Sequence, residues 1–529
     1  METNEHTEAG NKIIVAPELL NQYMSGGSDS KSGDITPLTI KNMMRLNADG
    51  LPEPTGISMS AGEIVALSGD YFTEPGWGLE LTLPHKTRAT YSDAIEIEIA
   101  DKETEAFKKA YGAVVSPKVT TALIKKIYQI ENDFEKNPST FNQYISQVKY
   151  WWHVPHYFKS LNLNYAHFTP WSIRAYIVGH HQAIQQAKYA YELRQMANAT
   201  SDKQPAISRE TLAIIEKIKQ TQPSTPSSES LNELLLEYAD RYQTLAVGME
   251  LAVQHYYSDS YASGHMSRLG IMRKLLNDMF GFFGQTLVNS MHNEENEFGV
   301  QVKHDQLDND FDLPEEMQNT DANGDGTFDD PSNNANANDL INGMSSSLGD
   351  LYETAINGAK VTPDQYAGAE FLPYIDETVE QYQPMFVYSP KDHQIYYRTD
   401  IAVAKRMSPE AYRQLEQAPD RFEDYQKLTT FKAFTLFLRL RVASIFSFIW
   451  AAPHKASEDI PRVEALEDDP KLSSSYSAMH QNGIQLESQT SPRVTVDEAS
   501  LQEKQTQHCD CHQALPVTEV SSVQLRPVH

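Results

Sequence analysis

Residues 231–265 read LNELLLEYADRYQTLAVGMELAVQHYYSDSYASGH and combine the strongest helical pattern of the chain with its most specific chemistry. Leu234, Leu235, Tyr238, Leu245, Met249 and Val253 recur at helical spacing, which predicts a core helix within Leu231–Met279. Near the middle of that segment stands His255-x3-Asp259-x5-His265. Four residues apart on a helix, His255 and Asp259 share a face. His265 would lie about 240° further round a continuous helix. Gly264 is therefore expected to end or bend the helix and return His265 toward the other two. Two neutral imidazoles and a carboxylate suit zinc with one coordination position left for water. Composition alone gives ~0.07 expected occurrences of this pattern; the ordinary alternative is two surface histidines and an acid.

A second helix is predicted over about Phe282–Glu297. It carries His292, with Glu295 and Asn296 three and four residues later on a shared face. If the two helices pack together, both clusters meet in one pocket, the way helical bundles build metal sites. The competing reading is a solvated acidic face with one histidine. Upstream, His167 leads into the aromatic segment Phe168-Thr169-Pro170-Trp171, and His180-His181 follow in a helix. Isolated histidines in such surroundings are more often structural than chemical. Asp70 follows Ser68-Gly69 after an apolar, strand-like run, a place where most aspartates are turn or capping residues.

The chain has 529 residues, 40% of them apolar and 10% aromatic, enough for one large catalytic domain or two smaller ones. A formal net charge of −28 argues against sequence-independent binding of nucleic-acid backbones. It also opposes anionic membranes, unless a local basic or apolar patch does the docking. Cys509 and Cys511 are the only cysteines and lie in the polar tail, so the core needs no disulfide. Residues 1–10 are polar and no apolar run follows, so no conventional secretory signal is expected. Lys432, Arg439 and Arg441 interrupt the apolar segment Phe431–Ala452, which is therefore not expected to span a membrane, and Phe431–Trp450 reads as a core helix. An apolar surface that approaches lipid is the alternative.

The expected architecture is mostly α. Residues 1–32 read as a flexible leader, 33–455 as the catalytic domain and 456–529 as a disordered polar tail. Ser32–Arg88 reads as loops and short elements, and Tyr91–Ala100 as a strand or a helix start. Thr104–Ala197 reads as mainly helical, with interruptions near Pro138, Pro155 and Pro170. Gln220–Ser230 should be a linker and about 301–339 an irregular acidic loop. Helices are expected again over Leu340–Ile356 and Pro409–Trp450.

The span His255–His265, with Tyr256 after the first histidine, resembles the signature of bacterial zinc-dependent phospholipases C. The likeness is to the larger Pseudomonas and Legionella metallophospholipase C branch. Tyr261 stands where that signature has Phe, and Arg268 comes one place late. Gly69-Asp70-Tyr71, His167-Phe168, Gly179-His180, His292-x2-Glu295-Asn296-x2-Gly299 and Gly324-Asp325-Gly326 resemble that branch in the same order. The resemblance covers roughly residues 33–450 and implies a helical catalytic domain holding two or three zinc ions. It implies His167, His255, Asp259, His265, His292 and Glu295 as ligands, with Asp70 as a ligand or general base and Asp259 at the catalytic centre. Asn296 competes with Glu295, His180 is a candidate for the third metal position, and Arg268 is a candidate phosphate contact. The implied reaction is hydrolysis of the glycerol-side phosphate ester of phospholipids such as phosphatidylcholine, with a membrane surface as substrate and nucleic acid excluded. Delivery by a specialised, type IV-like secretion machine that recognises the tail is expected, with a cytoplasmic location as the alternative.

Two further motifs are weaker. Asp321–Asp329 begins like a calcium loop, but Ser332 occupies the twelfth position, and a structural turn is the preferred reading over Ca2+ binding. His508-Cys509-Asp510-Cys511-His512 is too closely spaced for a standard zinc finger. Two rival functions remain at this level: a P1-type zinc phosphodiesterase or nuclease, and a non-catalytic membrane- or host-interaction protein.

Overall fold

A computed structural model describes residues 2–29, 35–84, 89–136, 140–154, 157, 163–199, 205–221, 228–304, 320–322, 324, 327–442 and 462–466. The fold is mostly α. Its helices, in chain order, are α1 (Thr3–Asn11), α2 (Ala61–Asp70), α3 (Asp101–Val114), α4 (Thr121–Lys136), α5 (Thr140–His153), α6 (Trp171–Ala197) and α7 (Arg209–Gln220). They continue with α8 (Ser228–Asp259), α9 (Ser267–Phe280), α10 (Phe282–Phe298), α11 (Asn334–Ala355), α12 (Pro409–Gln417) and α13 (Thr430–Phe437).

The long pair α6 and α8 forms the spine, and α2, α3, α7 and α11 pack around it. Most of α6 is buried all round, including Ile173, Tyr176, Ile177, Val178, Ala187 and Leu193, as expected of a central rather than a surface helix. The two helices approach closely because residue 179 is glycine. A Cβ there would lie 2.4 Å from Val253 Cγ2. Leu235, Tyr238, Leu245, Met249 and Val253 are buried along the predicted stripe of α8.

Strands are short and antiparallel. β1 (Val300–His304) lies between β2 (Thr320–Ala322) and β3 (Pro373–Ile375). A second sheet has the order β4 (Phe386–Ser389), β5 (Gln394–Arg398), β6 (Tyr425–Lys427). The second sheet packs on α9 and α10 through Leu269, Met272, Leu276, Leu287, Val288 and Met291. Buried Arg398 fixes that junction, its guanidinium donating to both carboxylate oxygens of Glu294 at 2.9 and 2.5 Å.

Several sequence expectations are corrected. Residues 1–32 are not simply a flexible leader: α1 is a helix whose Thr3, Glu5, His6, Ala9 and Gly10 are buried. The strand-like run before Asp70 is helix α2, started by a reciprocal capping box between Ser60 and Glu63. Tyr91–Ile95 resolves as a single helical turn capped by Thr90 and Asp93. The segment Leu231–Met279 does break as Gly264 leads one to expect, but the helix already ends at Asp259. A short 3-10 turn, Ser263–His265, joins its two parts. Pro409–Trp450 is not one helix, because Pro419 and strand β6 separate α12 from α13. Within the expected acidic loop, β1, β2 and the start of α11 are ordered elements, and residues 305–319 lie outside the described residues. So do residues 443–461 and the tail beyond 466, with the His508–His512 motif. Among the described residues no helix is long and apolar enough to cross a membrane.

Candidate metal centre

The site lies where the C-terminal end of α8 meets α1, α2 and the turn before α6. His255 and Asp259 come from the last turn of α8 and share its inner face, His255 Nε2 and Asp259 Oδ2 being 3.4 Å apart. The Tyr165–His167 turn brings His167 Nδ1 to 3.1 Å from His255 Nε2 and 2.9 Å from Asp259 Oδ2. On the other side His6 Nε2 stands 3.4 Å from Asp259 Oδ1. Asp70 Oδ1 is 3.8 Å from His255 Nε2. The break after Asp259 returns His265, whose Nε2 is 3.9 Å from Asp259 Oδ1. Its ring centroid lies 4.9 Å from that of His292, which α10 supplies.

Two glycines make this convergence sterically feasible. A Cβ on Gly69 would fall 1.9 Å from the His255 ring, so α2 must present glycine for the imidazole to enter. A Cβ on Gly264 would fall 2.3 Å from Asn296 Oδ1, the atom that accepts a hydrogen bond from the Gly264 amide at 2.7 Å. Asn296 thus ties the His265 turn to α10, and its Nδ2 lies 3.5 Å from His292 Nδ1.

Hydrogen bonding sets the tautomers. His255 Nδ1 lies 2.9 Å from the Val65 carbonyl, which can only accept, so that nitrogen carries the proton and Nε2 offers its lone pair. The Ser258 hydroxyl donates to the His255 carbonyl at 2.8 Å and therefore accepts from His6 Nδ1, also at 2.8 Å. His6 Nε2 is left buried without a hydrogen bond, facing Asp259. Burial, with His6 second, holds His255 well below the usual imidazole range. Burial opposes the charge on Asp259, but His255, His265 and His167 outweigh it and hold its carboxyl well below the usual range. Neutral imidazole and ionised carboxylate are the protonation states a cation needs. Burial raises Asp70 despite His6 and His167, while about 26% of its side chain stays open. Thr3 Oγ1 donates to Asp70 Oδ2 at 2.9 Å.

The donor set fits zinc. Tetrahedral zinc with bonds of about 2.0–2.1 Å places neighbouring ligand atoms roughly 3.3 Å apart. His167, His255 and Asp259 present atoms at 2.9, 3.1 and 3.4 Å from one another. His6, Asp70 and His255 form an overlapping group. Asp259 faces both groups. Its Oδ2 faces His167 and its Oδ1 faces His6.

Three candidates from the sequence fall elsewhere. Glu295 is buried against Arg268, Oε1 to Nε 2.6 Å, so its carboxylate is already paired. Arg268 is consumed by that pair and by the Tyr412 hydroxyl at 2.9 Å, so it is not an open phosphate contact. His180 is buried between Glu250 (Nδ1, 2.6 Å) and Asp350 (Nε2, 3.2 Å). Burial opposes its charge, yet the two carboxylates raise it to about 9, and a cationic imidazole offers no lone pair. Of the calcium-like loop, residues 323, 325 and 326 lie outside the described residues. Gly324 itself packs on Asn296, a Cβ there falling 2.1 Å from the Asn296 carbonyl oxygen.

His6 was not found from sequence. The available signal was the capping pair Glu2/Glu5 before a polar helix, whose inward face meets polar partners rather than a greasy core. Comparison of the chain with family models, curated proteins and solved structures finds no match in any of the three.

Proposed function

We propose that the chain is a zinc-dependent phospholipase C, hydrolysing phospholipids such as phosphatidylcholine to diacylglycerol and a phosphorylated headgroup. The observation that carries this reading is the meeting of His6, His167, His255, Asp259 and Asp70, from four separate segments, with His265 and His292 alongside. His6, His167, His255, Asp259 and Asp70 would hold the metal, with His265 and His292 completing the set. Bound zinc supplies hydroxide near neutral pH and offsets the charge of a phosphodiester. Asp259 sits between the two groups of imidazoles and supplies their shared negative charge. Asp70, partly open and with its proton affinity raised by burial, would accept the proton that the water gives up in forming that hydroxide. Val65 and Ser258 keep the imidazoles in one tautomer, so no reorganisation is needed at the reacting centre.

The resemblance of His255–His265 to zinc phospholipases C supports the lipid substrate, and the charge of −28 disfavours a nucleic-acid substrate. Delivery by a type IV-like machine through residues 456–529 belongs to the same proposal. A translocation reporter fused with and without those residues tests it, and equal delivery counts against it. For the reaction, purified protein is offered phosphatidylcholine or single-stranded DNA, with and without chelator. Diacylglycerol release that stops with chelator and returns with zinc is expected. Cleavage of the DNA with none of the lipid would transfer the chain to the nuclease reading.

A further inference from the structure

Helix α5 carries apolar residues on two opposite faces. Its inner face, Ser146, Tyr150 and Val154, is buried. On the outer face Trp152 is 78% exposed, Trp151 56%, Val148 55% and Ile145 38%. At 100° per residue these four fall within an arc of about 120°. Among the described residues Trp152 is the most exposed large hydrophobic side chain. Tryptophan pairs a wide apolar ring with an N–H donor and is favoured where hydrocarbon meets water.

Charge points the same way. No Asp or Glu occurs between Glu135 and Glu192, although a chain with 72 acids in 529 residues would place about eight there. Lys136, Lys149, Lys159, Arg174 and Lys188 lie within that stretch. Arg174 is buried against Glu103, so the cations available at the surface of α5 begin with Lys149, loosely paired with Asp133 at 3.9 Å. An acidic protein has thus cleared negative charge from the helix that exposes its tryptophans.

The helix is also tied to the site. Tyr150 donates to Glu131 Oε1 at 2.6 Å, and Tyr71, the residue after Asp70, donates to the same oxygen. The Tyr71 and Tyr150 rings stand 5.0 Å apart. These contacts join the inner face of α5 to the residue that follows Asp70.

We infer that the outer face of α5, formed by Ile145, Val148, Trp151 and Trp152, is the surface by which the protein docks on a phospholipid bilayer. The inference rests on the phospholipase reading and adds where the lipid surface is met. Side chains of this kind enter the interfacial zone, and the absence of acids from α5 itself limits repulsion from phosphate headgroups.

The test is sedimentation of the full-length protein with phosphatidylcholine vesicles containing a minor fraction of phosphatidylserine. Its companion is the rate on a short-chain, water-soluble phosphatidylcholine. Trp151→Ala/Trp152→Ala should lower vesicle partitioning about tenfold or more while the soluble-substrate rate stays unchanged. Val148→Glu tests the same face independently and should act in the same direction. Phe282→Ala/Phe431→Ala, which alters exposed rings on α10 and α13, should leave partitioning within about twofold. Wild-type-like partitioning of the tryptophan variant overturns the docking face. So does equal loss in the phenylalanine variant, or absence of vesicle binding by the unmodified chain; hydrolysis of the soluble substrate would then leave the catalytic reading standing. Vesicle binding through α5 with neither substrate hydrolysed would uphold the docking face and sink the catalytic reading.

Discussion

Two buried histidine clusters lie along the same helix pair and use the same residue types. At the end of α8, His255 and His6 each give their Nδ1 proton to an oxygen outside the cluster and turn Nε2 inward. Along the middle of α6 and α8, His180 directs both nitrogens to carboxylates, Glu250 and Asp350. The first arrangement brings His255 Nε2, His6 Nε2 and His167 Nδ1 around the Asp259 carboxylate, a donor set open to a cation. The second is already neutralised from within. Burial, His and acid are common to both, and the count of donor protons separates a site from a structural pair.

The largest expected effect is at the shared ligands. His255→Ala or Asp259→Asn should lower phospholipid turnover by on the order of 10³-fold or more and reduce bound zinc, read by product assay and elemental analysis. His6→Ala comes next. On the order of 10–100-fold loss, with weaker zinc retention, would place α1 inside the catalytic unit; an unchanged variant would return it to the role of a leader. Ser258→Ala removes the acceptor that orients His6, together with the hydrogen bond to the His255 carbonyl, and should cost about tenfold in zinc affinity, measured by competition with a chelator.

His180 supplies the opposite behaviour. Its cationic form, favoured in the fold to about pH 9 against an ordinary 6.5, contributes stability that is complete below 6.5 and fades as pH rises through 9. His180→Gln should therefore show its greatest deficit in melting temperature below pH 6.5, narrowing above 9, with zinc content unchanged. A loss of zinc in that variant would erase the distinction between the clusters. Smallest in its effect on zinc is Glu295→Gln, which should lower thermal stability by leaving Arg268 buried against a neutral partner, yet keep the full metal complement.

The core of this fold was legible because its chemistry is periodic. The stripe of α8 and the i, i+4 pair His255/Asp259 follow directly from helical geometry. The return of His265 was legible too, since Gly264 marks where the helix can turn. The N-terminal helix was hidden because its buried face is polar. Thr3, Glu5, His6 and Thr7 bond to Asp70, the Phe328 amide, Ser258 and Tyr128, so no apolar rhythm announces it. Glu295 misled for a related reason. Spacing places Glu295 and Asn296 equally well, and only tertiary contacts show that α10 spends Glu294 on Arg398 and Glu295 on Arg268 while Asn296 faces the histidines. His180 could not be separated from the ligands by sequence, because its acids come from positions 250 and 350.

Zinc per chain in the purified protein, compared with His255→Ala and His180→Gln, bears most directly on the assignment of the two clusters. The account predicts at least two equivalents in the wild type, a clear loss in His255→Ala and no loss in His180→Gln. A wild-type chain without stoichiometric zinc, or one whose zinc is indifferent to His255, would contradict it.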